Sequence, residues 1–173
     1  NFTCVGHYVV NGIKIHCHKT KGHGHLTFSG GIQQSCNPIL MTVGLRVGLE
    51  KFYDYFDAFG YLSRTGIDLP GEGNSIFHQP SKFATLDLAT ASFGQNFKVT
   101  PIQQISAISS VANGGYLMTP HTVLKITDAK GNVVESASTA IKRQVISTQI
   151  CNTISTILQE GVAGDGGARN AYV

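Results

Sequence analysis

Alternation of apolar and polar positions is sharpest at the start of the chain, in "YVVNGIKIHC". Asn11 and Gly12 supply the positive φ angles of a two-residue hairpin turn, and β-favouring residues flank them on both sides. The pattern predicts strands at roughly 2–10 and 13–18. A loop rich in His and Gly, "HKTKGHGH", follows, and then a short helix near 26–34. Asn37 and Pro38 read as the N-cap and first residue of the next helix, which carries Ile39, Leu40, Val43 and Val47 on one face. "LEKFYDYFDAFG" is a short amphipathic helix ending at Gly60, and the turn-rich stretch 61–80 is expected to be irregular. A short helix over 83–91 leads into "SFGQ".

"TPIQQISAISSVANGG" carries the fullest set of helix boundary signals. Thr100 is the N-cap, Pro101 the first residue, Gln103 completes a capping box, and Asn113-Gly114-Gly115 ends the helix. Ile102, Ile105, Ile108 and Val111 recur every third residue, so Ile105 and Ile108 are expected in the core. "TVLKITDAKGNVVE" reads as two short strands around a Lys-Gly turn. Ser147 caps a last helix bearing Cys151, Ile154, Ile157 and Leu158 and stopping at Gly161, and the closing "AYV" looks like the approach to a strand. The order hairpin, helices, hairpin, helix predicts an α+β fold, mostly helical, with the helices grouped together.

Composition narrows the picture. At 173 residues and 42% hydrophobic, the chain can bury a real core as one domain. Charged residues are only 13%, low for a self-contained surface, so part of that surface is expected to be covered by further chain or a partner. The net charge of +3 comes from scattered Lys and Arg with no basic run, so no nucleic-acid partner is expected. No stretch of about 18 apolar residues is present to span a bilayer. Cys4, Cys17, Cys36 and Cys151 lack CxxC spacing, so neither a structural zinc site nor a full disulfide framework is expected, although one bridge stays open.

Candidate chemistry is sparse. His16, His18, His23 and His25, with Cys17 between the first pair, invite a metal reading. No Asp or Glu lies nearby to orient the imidazoles, however, and glycines hold the second pair loosely, so a plain polar loop is the expectation. "GEGNS" and "GDGG" do not join a strand to a helix as phosphate loops must, and HExxH and GxSxG are absent. In "QQSCNP", Ser35 and Asn37 are either ordinary helix caps or half of an acyl-transfer site. A hydroxyl that donates and accepts suits a proton relay, and an amide with both donors and an acceptor suits gripping a peptide.

Context favours the second reading. The segments "QQSCNPILMTVGLRVGLEKFYDYFDAFG", "TGIDLPGE", "ATASFGQNFKVTPIQQISAISSVANGGYLMTPH" and "RQVIS", read in order, resemble the transpeptidase domain of a class B penicillin-binding protein of the Gram-positive sporulation type or a related one. The resemblance runs from about Gly6 to Val173. It implies a penicillin-binding/β-lactamase-like fold and a serine-type D-Ala-D-Ala transpeptidase that cross-links peptidoglycan stem peptides and binds β-lactams without a cofactor. A membrane-anchored, extracytoplasmic parent and a glycosyltransferase partner are implied too. Ser35 and Asn37 occupy the place of the family's Ser-x-Asn motif, Ser35 relaying a proton and Asn37 holding the substrate amide. No Ser here is followed three residues later by Lys, and "KTKG" at 19–22 is out of place as a third motif. The chain is therefore expected to be an interior part of that domain, 1–173, inactive by itself. The alternative is a catalytically silent module of the same family.

Cys36 stands between Ser35 and Asn37, and Cys17 ends the second strand of the hairpin. In an ideal hairpin Cys4 faces Lys19 and meets Cys17 only on a diagonal of about 7–8 Å, marginal for a bridge. Cys17 is thus left open to Cys36 as a candidate redox pair, set against a plain packing role for Cys36.

Overall fold

In the computed structural model, which describes residues 1–137 and 140–171, the opening hairpin forms where Asn11-Gly12 places it. Strands β2 (His7–Val10) and β3 (Ile13–His16) pair antiparallel from Val10↔Ile13 to His7↔His16. Asn11 and Gly12 have φ of 48° and 80°, the left-handed angles that such a turn requires. The long first strand expected over 2–10 does not exist. It breaks at Val5-Gly6, and its first piece, β1 (Phe2–Cys4), pairs instead with β4 (Gly24–Leu26) in the register Cys4↔Gly24.

Glycine causes the break. Gly6 has φ +90°, and a Cβ there would overlap the Thr20 carbonyl. A Cβ on Gly22 would overlap the Cys4 carbonyl. Two chain segments cross at backbone contact distance, and only residues without side chains permit it. The Cys17 N–H closes the crossing with a 2.9 Å bond to the Gly6 carbonyl.

The remaining elements follow as α1 (Phe28–Gln33), α2 (Asn37–Val47), α3 (Leu49–Ala58), α4 (Thr85–Ala91), α5 (Pro101–Ala112), β5 (Tyr116–Met118), β6 (Lys125–Thr127), β7 (Val133–Ser136), β8 (Ile141–Gln144) and α6 (Thr148–Ala163). This is the expected α+β composition. The strands form four two-stranded ribbons among the described residues. Ser147 caps α6, its hydroxyl accepting from the Ile150 N–H at 3.3 Å, and the helix continues past Gly161 to Ala163. Of the expected terminal strand, Ala171 lies in a short 3-10 turn, and Tyr172 and Val173 fall outside the described residues. Among the described residues no helix is long and apolar enough to cross a membrane.

The chain divides into two units. The first comprises Asn1–Asp54, Phe77–Phe97 and Thr153–Val173. Its spine is α2, buried on more than the single face that the spacing suggests. Ile39 joins Cys4, Cys17 and Cys36 in one apolar cluster, while Met41 joins Val10 and Ala89 in another. Val47, expected on the buried face, is 46% exposed. Gly44 lets α4 approach closely, since a Cβ there would overlap Ser92 of "SFGQ".

The second unit comprises Tyr55–Ile76 and Lys98–Asn152. Here the face of α5 is a correction to the sequence reading. Ile105 and Ile108 are 55% and 53% exposed, whereas Gln103, Ala107 and Ser110 are buried. Small residues let β5 pack against the helix, and the buried Gln103 amide is fully used. Its Nε2 donates to the Ser63 and Tyr61 carbonyls at 2.7 and 3.3 Å, and its Oε1 accepts from the Thr100 N–H at 2.9 Å. A buried amide with all its partners outcompetes an Ile at the same depth, because losing them would strand polar groups away from water.

"TGIDLPGE" is explained by its two carboxylates. Glu72 accepts from the Thr65 N–H and hydroxyl at 2.6 and 2.7 Å and from the Gly66 N–H at 3.0 Å. Asp68 accepts from the Thr122 N–H and hydroxyl and the Val123 N–H at 2.8–2.9 Å. Lys142 then donates to the Thr65 carbonyl, and Arg143 to the Asp57 and Ala58 carbonyls at the end of α3.

Two outcomes test this packing. Ile105→Ala in this chain should cost less than about 1 kcal/mol in urea denaturation, as for an exposed position. Glu72→Gln should cost about 1–2 kcal/mol near neutral pH, a figure reduced for partial solvent exposure. Burial acts to raise the Glu72 carboxyl, but its bonds to Thr65 and Gly66 and the nearby Arg64 hold it below the usual carboxylate value. Because the folded value is depressed, the stabilisation is complete above the unfolded pKa of about 4.3 and fades as pH falls through the folded value. The gap between wild type and Glu72→Gln should close over that acid range.

Candidate active-site groove

The turn between α1 and α2 sets the site. Thr27 caps α1, accepting from the Gly30 N–H at 3.0 Å, and the helix unwinds through Ser35 N–H to Ile32 O at 2.9 Å and Cys36 N–H to Gly31 O at 2.8 Å. Ser35 lies at φ +47°, a left-handed conformation unusual for a residue with a side chain. Cys36 then serves as the cap of α2, its carbonyl accepting from Ile39 and Leu40. The assignment of Asn37 as N-cap is thereby corrected: Asn37 is already the first helical residue. Its side chain does other work, Nδ2 donating to the His16 carbonyl at 3.1 Å.

This reversal points alternate residues in opposite directions. Cys36 is fully buried, Ser35 is exposed and Asn37 is half-buried. Ser35 and Asn37 line one groove of ≈ 550 Å³, with His18 beside them and Leu158 and Val162 from α6 opposite. The volume falls within the usual range for small-ligand sites. Polar contacts fasten the far wall: Gln33 Nε2 donates to Glu160 at 2.8 Å, Gln34 Nε2 to the Asp165 carbonyl at 2.9 Å, and Gly167 N–H to the Gln33 carbonyl at 2.9 Å. Gly161 packs against the Gln33 backbone, where a Cβ would come within 3.3 Å of its Cα. The two residues singled out by sequence therefore share a site, and its opposite wall was not visible in any motif.

The His-rich loop does not gather as a set. His16 stacks near His7 at 6.2 Å between ring centres, His25 meets the Thr3 hydroxyl at 3.0 Å, and His18 sits 5.1 Å from His23. What does gather is Cys4, Cys17, His23 and Cys36, whose sulfur and ring nitrogen atoms all lie within 4.8 Å of one another. Cys17 and Cys36, the candidate redox pair, are thus brought together as free thiols. Setting Cys4 aside was an error of register, because the hairpin does not extend past Gly6. Burial pushes the Cys36 thiol up to about 12, and its thiol neighbours add to the rise. Burial acts the same way on Cys4, but the His23 and Gly6 N–H groups and the other two thiols bring it below its ordinary value. His23 is held below the usual imidazole value by burial and by nearby His18 and Lys19.

Comparison with known proteins identifies the family to which this fold belongs. Residues 1–173 match the penicillin binding protein transpeptidase domain. The chain is 40% identical over 169 residues to Stage V sporulation protein D of Bacillus subtilis, covering 97% of this chain and 26% of that protein. Among solved structures, a peptidoglycan synthetase from Bifidobacterium adolescentis superposes with a TM-score of 0.86 at 27% identity, over 94% of this chain and 30% of that one. Penicillin binding protein 3 from Mycobacterium tuberculosis, complexed with aztreonam, superposes at 0.83 with 25% identity, over 93% of this chain and 36% of that one. The chain thus spans about a quarter to a third of the length of these relatives. With a Ser-x-Asn turn opening a helix over a groove, and a domain match along its whole length, the chain belongs to the penicillin-binding protein transpeptidase family, class B.

Proposed function

We propose that these residues supply the Ser-x-Asn portion of a peptidoglycan D,D-transpeptidase that joins stem peptides through an acyl-serine intermediate and is acylated by β-lactams. The observation that carries this is the turn at 35–37, which presents the Ser35 hydroxyl and the Asn37 amide to the same groove. In such a reaction a serine attacks the D-Ala-D-Ala carbonyl, D-Ala leaves as an amine, and a second stem amine resolves the ester. Splitting the transfer into two steps lowers the barrier of each. Ser35 delivers a proton to the departing amine, a general-acid role that requires hydrogen-bond reach. Asn37, braced on the His16 carbonyl, keeps one end of its amide fixed and grips the substrate peptide as a positioning residue.

The attacking serine and its lysine do not occur in Ser-x-x-Lys spacing within the 173 residues, so they are assigned to chain outside them. The same reading places the mature protein on the extracytoplasmic face of the membrane, with stem peptides as substrate and a glycosyltransferase as working partner. A silent member of the family, with Ser35 and Asn37 doing no chemistry, is the competing reading.

Labelled penicillin separates the two. The 173-residue chain should form no stoichiometric, denaturation-resistant adduct, and a stable label on it would show that the nucleophile has been misassigned. In the chain extended to the complete domain, Ser35→Ala and Asn37→Ala should each slow acylation by about 10²-fold or more while leaving the melting temperature nearly unchanged. Normal acylation with earlier melting would make both residues structural.

A further inference from the structure

Cys4, Cys17, His23 and Cys36 take no part in the chemistry proposed for the groove, yet the fold goes to some trouble to assemble them. They come from four separate places: the end of β1, the residue after β3, the loop before β4, and the cap of α2. Twelve, five and twelve residues lie between successive members, a spacing that no short motif captures. The glycine crossing at Gly6 and Gly22 is what brings the first three together.

We propose that these four side chains form a mononuclear Cys3His site for a thiophilic divalent ion, zinc foremost. Four facts carry it. The donor atoms all lie within 4.8 Å of one another, too close to enclose more than a single ion. A tetrahedron of that edge has its centre about 2.9 Å from each corner, so small side-chain rotations reach Zn–S and Zn–N distances of about 2.3 and 2.0–2.1 Å. Cys17 Sγ and His23 Nδ1 are already 3.6 Å apart, close to the S···N edge of about 3.6 Å expected around tetrahedral zinc. Finally, all three cysteines are buried in one cluster against Ile39, so their sulfur atoms face a common interior point rather than solvent.

Three thiols and an imidazole make a soft donor set of the closed, structural type. The three cysteines are 2%, 2% and 0% exposed, which leaves no open position for water or substrate. On binding, each coordinating thiol gives up its proton to solvent and the sulfur lone pair takes its place on the ion. Plain apolar packing would explain three cysteines but not an imidazole nitrogen aimed at one of them. A disulfide would use two of the thiols and leave the third, with His23, unused.

The consequence for the groove rests on the reading of Ser35 and Asn37 given above. Cys36 lies between those two residues, and Cys17 lies between His16, which holds the Asn37 amide, and His18, which lines the groove. One ion would tie both sides of the site to a common point.

The test is metal content in the 173-residue chain, independent of any acylation. Protein prepared anaerobically with reductant and offered Zn²⁺ should retain about one ion per chain after desalting, and Co²⁺ in its place should give the charge-transfer absorption of a tetrahedral thiolate site. Cys4→Ser and His23→Ala should each weaken Zn²⁺ binding by at least about tenfold, with far-UV circular dichroism confirming that each is folded. His23→Cys should restore the affinity, and Cys151→Ser, a cysteine of the second unit outside the cluster, should leave it unchanged. The proposal is overturned if the wild-type chain, its thiols counted as free, retains less than about a tenth of an ion. It is equally overturned if His23→Ala and Cys4→Ser bind as wild type, or if Zn²⁺-loaded protein yields a Cys17–Cys36 disulfide on peptide mapping. Failure here would leave the roles of Ser35 and Asn37 standing, because none of these readings measures acylation.

Discussion

Everything at the groove depends on the burial of one residue, Cys36. Its sulfur is drawn into the cluster with Cys4, Cys17 and Ile39, and it is fully excluded from solvent. With Cys36 pinned inward, and its N–H and carbonyl committed to Gly31 and to the first turn of α2, the residues on either side have little choice but to face outward. Ser35 and Asn37 are therefore aimed by a hydrophobic anchor, to which Asn37 adds its own bond to the His16 carbonyl. The stiff helix α2, gripped by Ile39 in one apolar cluster and Met41 in another, transmits that anchoring to the rest of the first unit.

The backbone scaffold was legible wherever the signal was local. Asn11-Gly12, Thr100-Pro101 with Gln103, and Ser147 each did what their chemistry dictates within a few residues of themselves. The groove's two polar residues were legible as well, because a Ser-x-Asn triplet ahead of a proline is compact in sequence. What escaped was non-local. The β1–β4 and β5–β8 ribbons join segments about twenty or more residues apart, and nothing in the short strand sequences names their partners. The cysteine cluster escaped for the same reason, since the decisive event is a glycine crossing that turns β1 away from the hairpin.

Helix α5 shows a different kind of failure. Spacing arguments assume that the most apolar stripe is the buried one, and its four β-branched residues at three-residue intervals fit that assumption. The helix instead buries Gln103, Ala107 and Ser110, because close approach and a saturated amide matter more there than apolar area. The exposed isoleucines are consistent with the chain's low charge content. Both describe a surface that is not adapted to water, in a chain that spans about a quarter to a third of the relatives it matches. Likewise, the acidic residues of "TGIDLPGE", which in isolation could pass for catalytic carboxylates, turn out to be fasteners for backbone N–H groups.

The left-handed backbone at Ser35 imposes a conflict of interest on that position. Glycine or asparagine would adopt φ +47° more readily, and serine there carries a conformational penalty of about 1–2 kcal/mol. Selection for stability alone would thus favour glycine or asparagine at this position. Stabilising substitutions sought blindly in this fold would be drawn to position 35 early, and each would take a hydroxyl out of the groove.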